Sequence, residues 1–185
     1  MAPTLSQIQQ YIEMLAPRNL AEEWDNVGLQ VGQSDWFVKK IWVALDPAPD
    51  VVAAACRNRI DLLVCHHPLI LKPIKSIEFS RVPGAIVYMA AQHHLAIYAA
   101  HTNLDSVQDG LNDIFAKRIG LKKLKALMPS DADASPDVVQ GMGRIGDLER
   151  TMTLQALAAA IKKQLSLGHI RVAGPLDLQA HELPD

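Results

Sequence analysis

Leu5, Ile8, Ile12 and Leu15 recur at helical spacing behind Thr4, with Pro17 beyond them, and predict an amphipathic helix over residues 4–16. The polar turn Glu22-Glu23-Trp24-Asp25-Asn26 follows, and then a short strand, Gly28-Leu29-Gln30-Val31-Gly32. Three further apolar runs have β character: Ile41-Trp42-Val43-Ala44-Leu45, Leu62-Leu63-Val64-Cys65 and Leu95-Ala96-Ile97-Tyr98-Ala99. Helical segments are expected over residues 50–58, 82–93 and 109–119. Strand-like runs alternating with helices predict an α/β fold, with βαβ units forming a mainly parallel mixed sheet flanked by helices. The alternation is clear to about residue 120. Residues 129–136, rich in Pro, Ser and Asp, predict a linker or exposed loop, followed by a helix over residues 153–165 and a strand over residues 170–173.

In open α/β sheets ligands bind beyond the carboxyl ends of the strands. Three such ends carry metal-ligating residue types: Asp46 after the first parallel run, His66-His67-Pro68 after the second, and His101-Thr102-Asn103-Leu104-Asp105 after the third. A parallel sheet brings these ends to one edge. In an extended segment His66 and His67 would point in opposite directions, which suits two neighbouring ions better than one. His101 and Asp105, four apart, would share a face in a helical turn. Imidazole with carboxylate suits zinc, iron, manganese or a similar ion, and two such ions would activate water or clamp a polar substrate. Asp46-Pro47 reads as a turn opener. Trp24-Asp25-Asn26 reads as a structural turn, with Asp25 and Asn26 left open as residues facing the pocket. His93-His94, between a helix and a strand, reads as a cap or a surface pair. Gly141, Gly143 and Gly146 have the spacing of a dinucleotide fingerprint but no clear strand before them and no helix opening at the third glycine, so they read as permitting a tight turn before residue 148.

Composition narrows the picture. Apolar residues make up 49% of the 185, enough for a globular core. The net charge of -2, with Lys and Arg spread along the chain, gives no basic face for nucleic acid. No apolar run approaches the roughly 20 residues that span a bilayer, and no secretory signal opens the chain, so a soluble cytoplasmic protein is expected. Cys56 and Cys65 read as small buried hydrophobes rather than a disulfide. Ser76, Ser80 and the cysteines show no nucleophile–base spacing.

Three segments carry a family resemblance: Glu23-Trp24-Asp25-Asn26-Val27-Gly28-Leu29-Gln30-Val31-Gly32; Asp61 through His66-His67-Pro68-Leu69-Ile70; and Tyr98 through His101-Thr102-Asn103-Leu104-Asp105, with Gly110, Asn112 and Asp113 behind. In this order they resemble the Nif-three-like proteins, also known as type 2 GTP cyclohydrolase I homologues or dinuclear metal-centre hexameric proteins. The resemblance runs from about residue 5 to about residue 174. It implies His66, His67 and Asp105 as metal ligands, with His101 lining the same site as the group that orients water or moves a proton. It also implies two divalent or trivalent ions, a homo-oligomer from dimer to hexamer, a small-molecule substrate, and a fold of two related α/β halves. Residues 1–125 then form the first half with the metal motifs, and 126–185 a linker with part of the second. A late His-x-x-x-Glu segment of the family pattern has no match. His181-Glu182 has the wrong spacing, so a chain shortened at its C-terminal side, with fewer donors per ion, is expected. A metal-dependent hydrolase is the leading reading; a non-catalytic metal-binding or interaction protein, or an inactive fragment, is the alternative.

Overall fold

The four apolar runs each become a four-residue strand: β1 (Gly28–Val31), β2 (Ile41–Ala44), β3 (Leu62–Cys65) and β4 (Ala96–Ala99). The computed structural model describes residues 2–130 and 138–180; residues 131–137, within the expected linker, and His181-Glu182 lie outside the described residues. The chain divides into two compact units, Met1–Leu104 and Asp105–Asp185, whereas the composition changes further on, near residue 125.

In the first unit the sheet order is β1-β4-β3-β2. Strands β2, β3 and β4 are parallel and in register, Ala44 beside Cys65 and Cys65 beside Ala99. Strand β1 runs antiparallel to β4, Gly28 opposite Ala99, which makes the sheet mixed as expected. The period-two alternation of a strand then assigns the two faces. Leu63, Cys65 and Ile97 lie on one, packed with Val52 and Ala55 of α2 (Pro49–Arg57) and with Ile86 and Ala90 of α3 (Gly84–Gln92). Leu62, Ala96 and Tyr98 lie on the other, covered by Leu5, Ile8 and Ile12 of α1 (Leu5–Leu15). Helix α1 starts where Thr4 and Gln7 form a reciprocal capping box and stops at Ala16, ahead of Pro17. His93 is the C-cap of α3, its ring bonded to the Met89 carbonyl, and the His94 ring packs on Trp36. Both cysteines are free and buried.

Helix α4 (Thr102–Ser106) spans the division between the units. In the second unit α5 (Leu111–Arg118) precedes an antiparallel hairpin, β5 (Lys122–Pro129) with β6 (Gly141–Asp147). The glycine cluster is therefore a strand rather than the expected tight turn. Its glycines serve close approach: a Cβ at Gly141 would lie 2.1 Å from the Met128 carbonyl oxygen, and one at Gly146 would lie 2.6 Å from that of Lys122. Strand β7 (Met152–Thr153) leads into α6 (Leu154–Gln164), whose N-cap is Thr153, and pairs with β8 (Gln179–Ala180). The strand expected at residues 170–173 does not form. Ile170 and Val172 line an apolar groove with Leu157 and Ile161 of α6, and the partner of β7 lies further along the chain. No helix among the described residues is long and apolar enough to cross a membrane.

The second unit is organised around Arg144. Its guanidinium is buried, pairs with the buried Asp113 carboxylate, and donates to the carbonyls of Gly141, Gly143, Ser106 and Val107. Replacing one member of such a pair leaves the other buried without its counter-charge. Arg144→Met is expected to destabilise the protein by about 3–5 kcal/mol in urea unfolding, with partial recovery in Arg144→Met/Asp113→Leu. Equal stability of Arg144→Met and the parent would show that the pair contributes nothing.

Candidate metal centre

Strand β3 ends at Cys65, and the next two residues form a bend whose amides are tied to the end of β2: His66 N–H donates to Ala44 O at 3.2 Å and His67 N–H to Leu45 O at 2.9 Å. His101 leaves the sheet from the in-register end of β4, where Ala100 N–H donates to Cys65 O. The three rings meet. Centroids are 5.0 Å apart for His66 and His67, 5.0 Å for His66 and His101, and 5.7 Å for His67 and His101. One nitrogen from each ring lies within 4.8 Å of the others, close enough to share an ion. The expectation that adjacency sends His66 and His67 in opposite directions is corrected here: alternation requires extended backbone, and the strand has ended one residue earlier. Adjacency therefore gives no count of ions.

Each imidazole is held by its Nδ1. In His66 it bonds the Ala100 carbonyl at 3.0 Å, in His67 the Asp46 carboxylate at 2.6 Å, and in His101 the Asp25 carboxylate at 2.9 Å. Carbonyl and carboxylate oxygens only accept, so Nδ1 carries the proton in every ring. The lone pair of each neutral imidazole is then on Nε2. Orienting partners of this kind fix tautomer and direction in histidine metal sites. The donor set thus fits a cation that accepts imidazole nitrogen, with zinc, iron and manganese among the candidates.

Asp25 is more than a turn residue. Strand β1 is antiparallel to β4, so the segment before Gly28 arrives at the same sheet edge as His101. The Asp25 side chain is fully buried and accepts from four donors: His101 Nδ1, Thr102 N–H at 3.1 Å, Thr102 Oγ1 at 2.5 Å and Asn26 N–H at 2.8 Å. Burial pushes its carboxyl up, but these bonds together outweigh burial and hold it below the usual aspartate range. Thr102 Oγ1 in turn accepts from Glu22 N–H, and buried Asn103 links His101 N–H to the Ala16 carbonyl. Thr102 and Asn103 therefore set the backbone of the His101 loop. Asn26 donates to Ile70 O at 2.6 Å, joining the first signature segment to the loop after the two histidines. Trp24 meets the His101 ring edge-on, with centroids 6.1 Å apart.

Asp46, read from sequence as a turn opener, is the orienting partner of His67. A carboxylate after a parallel strand end was the available signal, masked by the Asp-Pro turn pattern. Asp105 sits in α4 and is the first residue of the second unit; its backbone carbonyl accepts from Asn112 Nδ2. Cys65, next to His66, is no thiolate donor at neutral pH: burial, reinforced by the charge of Asp46, pushes its thiol up to about 12.

The chain is 34% identical over 170 residues to a Clostridium acetobutylicum protein named GTP cyclohydrolase 1 type 2 homolog, covering 92% of this chain and 62% of the relative. The match spans about three fifths of the length of that relative and of similar proteins from Streptomyces coelicolor and Clostridium perfringens. Reduced HcgD from Methanocaldococcus jannaschii superposes with a TM-score of 0.73 at 34% identity, over 87% of this chain and 60% of that one. A Bacillus cereus protein related to NIF3 shares the fold, with a TM-score of 0.86 over 98% of this chain and 75% of that one, at 23% identity. The match to the Duf34/NIF3 family (NGG1p interacting factor 3) runs over residues 3–183, nearly the whole sequence, and the chain belongs to that family.

Proposed function

We propose that this chain binds two divalent or trivalent metal ions and hydrolyses a small polar molecule beside them. The observation that carries the reading is the cluster of three imidazoles, each oriented by an acceptor at Nδ1, with one nitrogen of each ring within 4.8 Å of the others. In the proposal His66 and His67 are ligands, joined by the Asp105 carboxylate; the spacing of Asp105 four residues after His101 supports its inclusion. The chemistry that a bound cation would supply there is a water acidic enough to be a nucleophile near neutral pH and a Lewis acid for the bond to be broken. His101 takes the proton from the attacking water at Nε2. Asp25, bonded to its Nδ1–H, holds the ring in position and stabilises the imidazolium that forms.

The name of the relatives makes GTP one candidate substrate, to be tested beside phosphate esters. The proposal includes self-association, from dimer to hexamer, supported by apolar side chains exposed along the edge strand β2 and just after it: Val43 is 81% and Leu45 61% exposed. It also places the protein in the cytoplasm, where unpaired cysteines such as Cys56 and Cys65 are the usual state.

Metal analysis of the purified protein tests the ligands. His66→Ala and His67→Ala are expected to lose bound metal, and Asp46→Asn to weaken it by about 10- to 100-fold. Metal at background in the parent, unchanged in these variants, would refute the site. His101→Ala is expected to keep its metal while turnover on GTP or a phosphate ester, with added Mn, Zn or Fe, falls by about 10²- to 10⁴-fold. Loss of metal from His101→Ala would make that residue a ligand instead and overturn the proton assignment. Metal binding without turnover on any of these substrates would favour a metal-binding interaction protein.

Asp25 has a signature independent of metal. Its folded pKa is depressed, so the stability it contributes is present above the ordinary aspartate range and is lost as pH falls through the folded value. In metal-free protein Asp25→Asn is expected to cost about 1–3 kcal/mol at pH 7. The gap to the parent should begin to narrow below about pH 4, the ordinary aspartate value, and shrink further as pH falls, in urea unfolding. A gap that stayed constant from pH 7 to pH 3 would show that the charge is not what stabilises the loop.

A further inference from the structure

Beside the histidines lies a cavity of about 410 Å³, a volume typical of small-molecule sites, walled by Glu23, Trp24, Asn26, Leu71 and Pro73. Asp25 joins the cavity to the metal centre, since it lines one and bonds His101 in the other. Its carboxylate is fully buried and committed to His101, Thr102 and Asn26. The charge offered to a ligand is therefore that of Glu23, which is exposed and has no hydrogen-bond or ion-pair partner among the described residues. Trp24 is 59% exposed, an unusual state for the largest apolar side chain, and its ring meets His101 edge-on. None of the described residues that line the cavity is a lysine or arginine.

These features select a ligand by chemistry. An indole face with aliphatic walls from Leu71 and Pro73 suits a flat ring. A free carboxylate accepts from N–H groups and, together with the electron-rich indole, favours a neutral or positively charged ring over an anion. We propose that this cavity is the ring-binding subsite of the protein, taking a planar nitrogen heterocycle with adjacent N–H donors, and that Trp24 and Glu23 determine its specificity. A ring seated on Trp24 lies next to His101, so its reactive bond is presented to the histidine cluster. The subsite deepens the hydrolase reading by naming what that site recognises, yet its occupancy requires neither metal nor turnover.

The probe is 2-aminobenzimidazole, a flat bicycle with adjacent N–H donors that is protonated near neutrality. It is titrated into the metal-free full chain by calorimetry, with 2-naphthoate, a flat bicycle carrying an anion, as comparator. The parent is expected to bind the probe at least about 10-fold more tightly than 2-naphthoate, given that both the carboxylate and the indole disfavour an anion. Trp24→Leu should weaken the probe by about 10-fold, within the usual range for loss of one aromatic stacking partner. Glu23→Gln should weaken the probe and strengthen 2-naphthoate, and His66→Ala should leave the probe affinity unchanged. Both substituted cavity residues are exposed, so the variants are expected to fold, as circular dichroism would verify. Absence of probe binding, equal affinity in parent and Trp24→Leu, or 2-naphthoate binding as tightly as the probe would overturn the subsite. Probe binding that depends on Trp24 in a protein without turnover would uphold the subsite and count against the hydrolase reading alone. Turnover that depends on His101 but is indifferent to Trp24 would do the reverse.

Discussion

Because Ala44, Cys65 and Ala99 stand side by side at the ends of parallel strands, the chain leaves the sheet three times at one edge, and Asp46, His66-His67 and His101 follow those exits. Both faces of β3 and β4 are packed, so a shift of one residue in either pairing would carry Leu63 or Tyr98 into the opposite core, where the packed volumes differ. The hydrophobic cores on the two faces therefore lock the register, and the register sets the histidine geometry. That β1 runs the other way matters equally. In an antiparallel pair the beginning of one strand meets the end of its partner, so the segment before Gly28 is delivered to the same edge. Four stretches of chain, distant in sequence, converge through strand direction alone.

Convergence places the imidazoles; it does not aim them. Aiming is done by acceptors at the far side of each ring: one backbone carbonyl and two carboxylates. The two carboxylates are not equivalent. Asp46 is about half exposed and its bond to His67 competes with water, whereas the Asp25 side chain is fully buried. A buried carboxylate is tolerated only where donors replace its hydration, and Asp25 has four. Thr102 supplies two of them because the start of α4 is turned toward the Asp25 loop, and Asn103 holds that turn against Ala16. His101 is thus the most rigidly supported ring of the three, which suits a group that moves a proton along a fixed direction.

The strands, helices and converging exits were legible in the sequence, because short apolar runs and helical periodicity are local signals. The partner of each histidine was not. Asp25 and His101 are 76 positions apart, and their contact exists only once β1 is known to be antiparallel. Asp46 was legible as a turn residue, and it is also a hydrogen-bond acceptor; local pattern reports only the first role. The opposed directions expected for His66 and His67 failed because strand ends are uncertain by a residue, and here one residue decides the geometry. In the second unit the glycines were misread for a related reason. A glycine that admits a neighbouring backbone and a glycine that makes a turn look alike until the opposing strand, β5, is in place.

The segment 23–26 then has a divided task. Asp25 turns inward to complete the histidine cluster, while Glu23 and Trp24 stay exposed around a cavity and Asn26 ties the segment to Ile70. Packing alone gives no reason to leave an indole 59% exposed beside a polar cluster, and the core of the first unit is filled without it. Recognition does give one. A ring-binding surface must be open before its ligand arrives, and it acts on the reaction only if it is held at a fixed distance from the reacting groups. The covalent link from Trp24 to Asp25, with Asp25 clamped by four donors, supplies that fixed distance. On the proposed reading, the same hydrogen bonds that orient His101 also position the ring-binding surface, which would couple recognition to reaction.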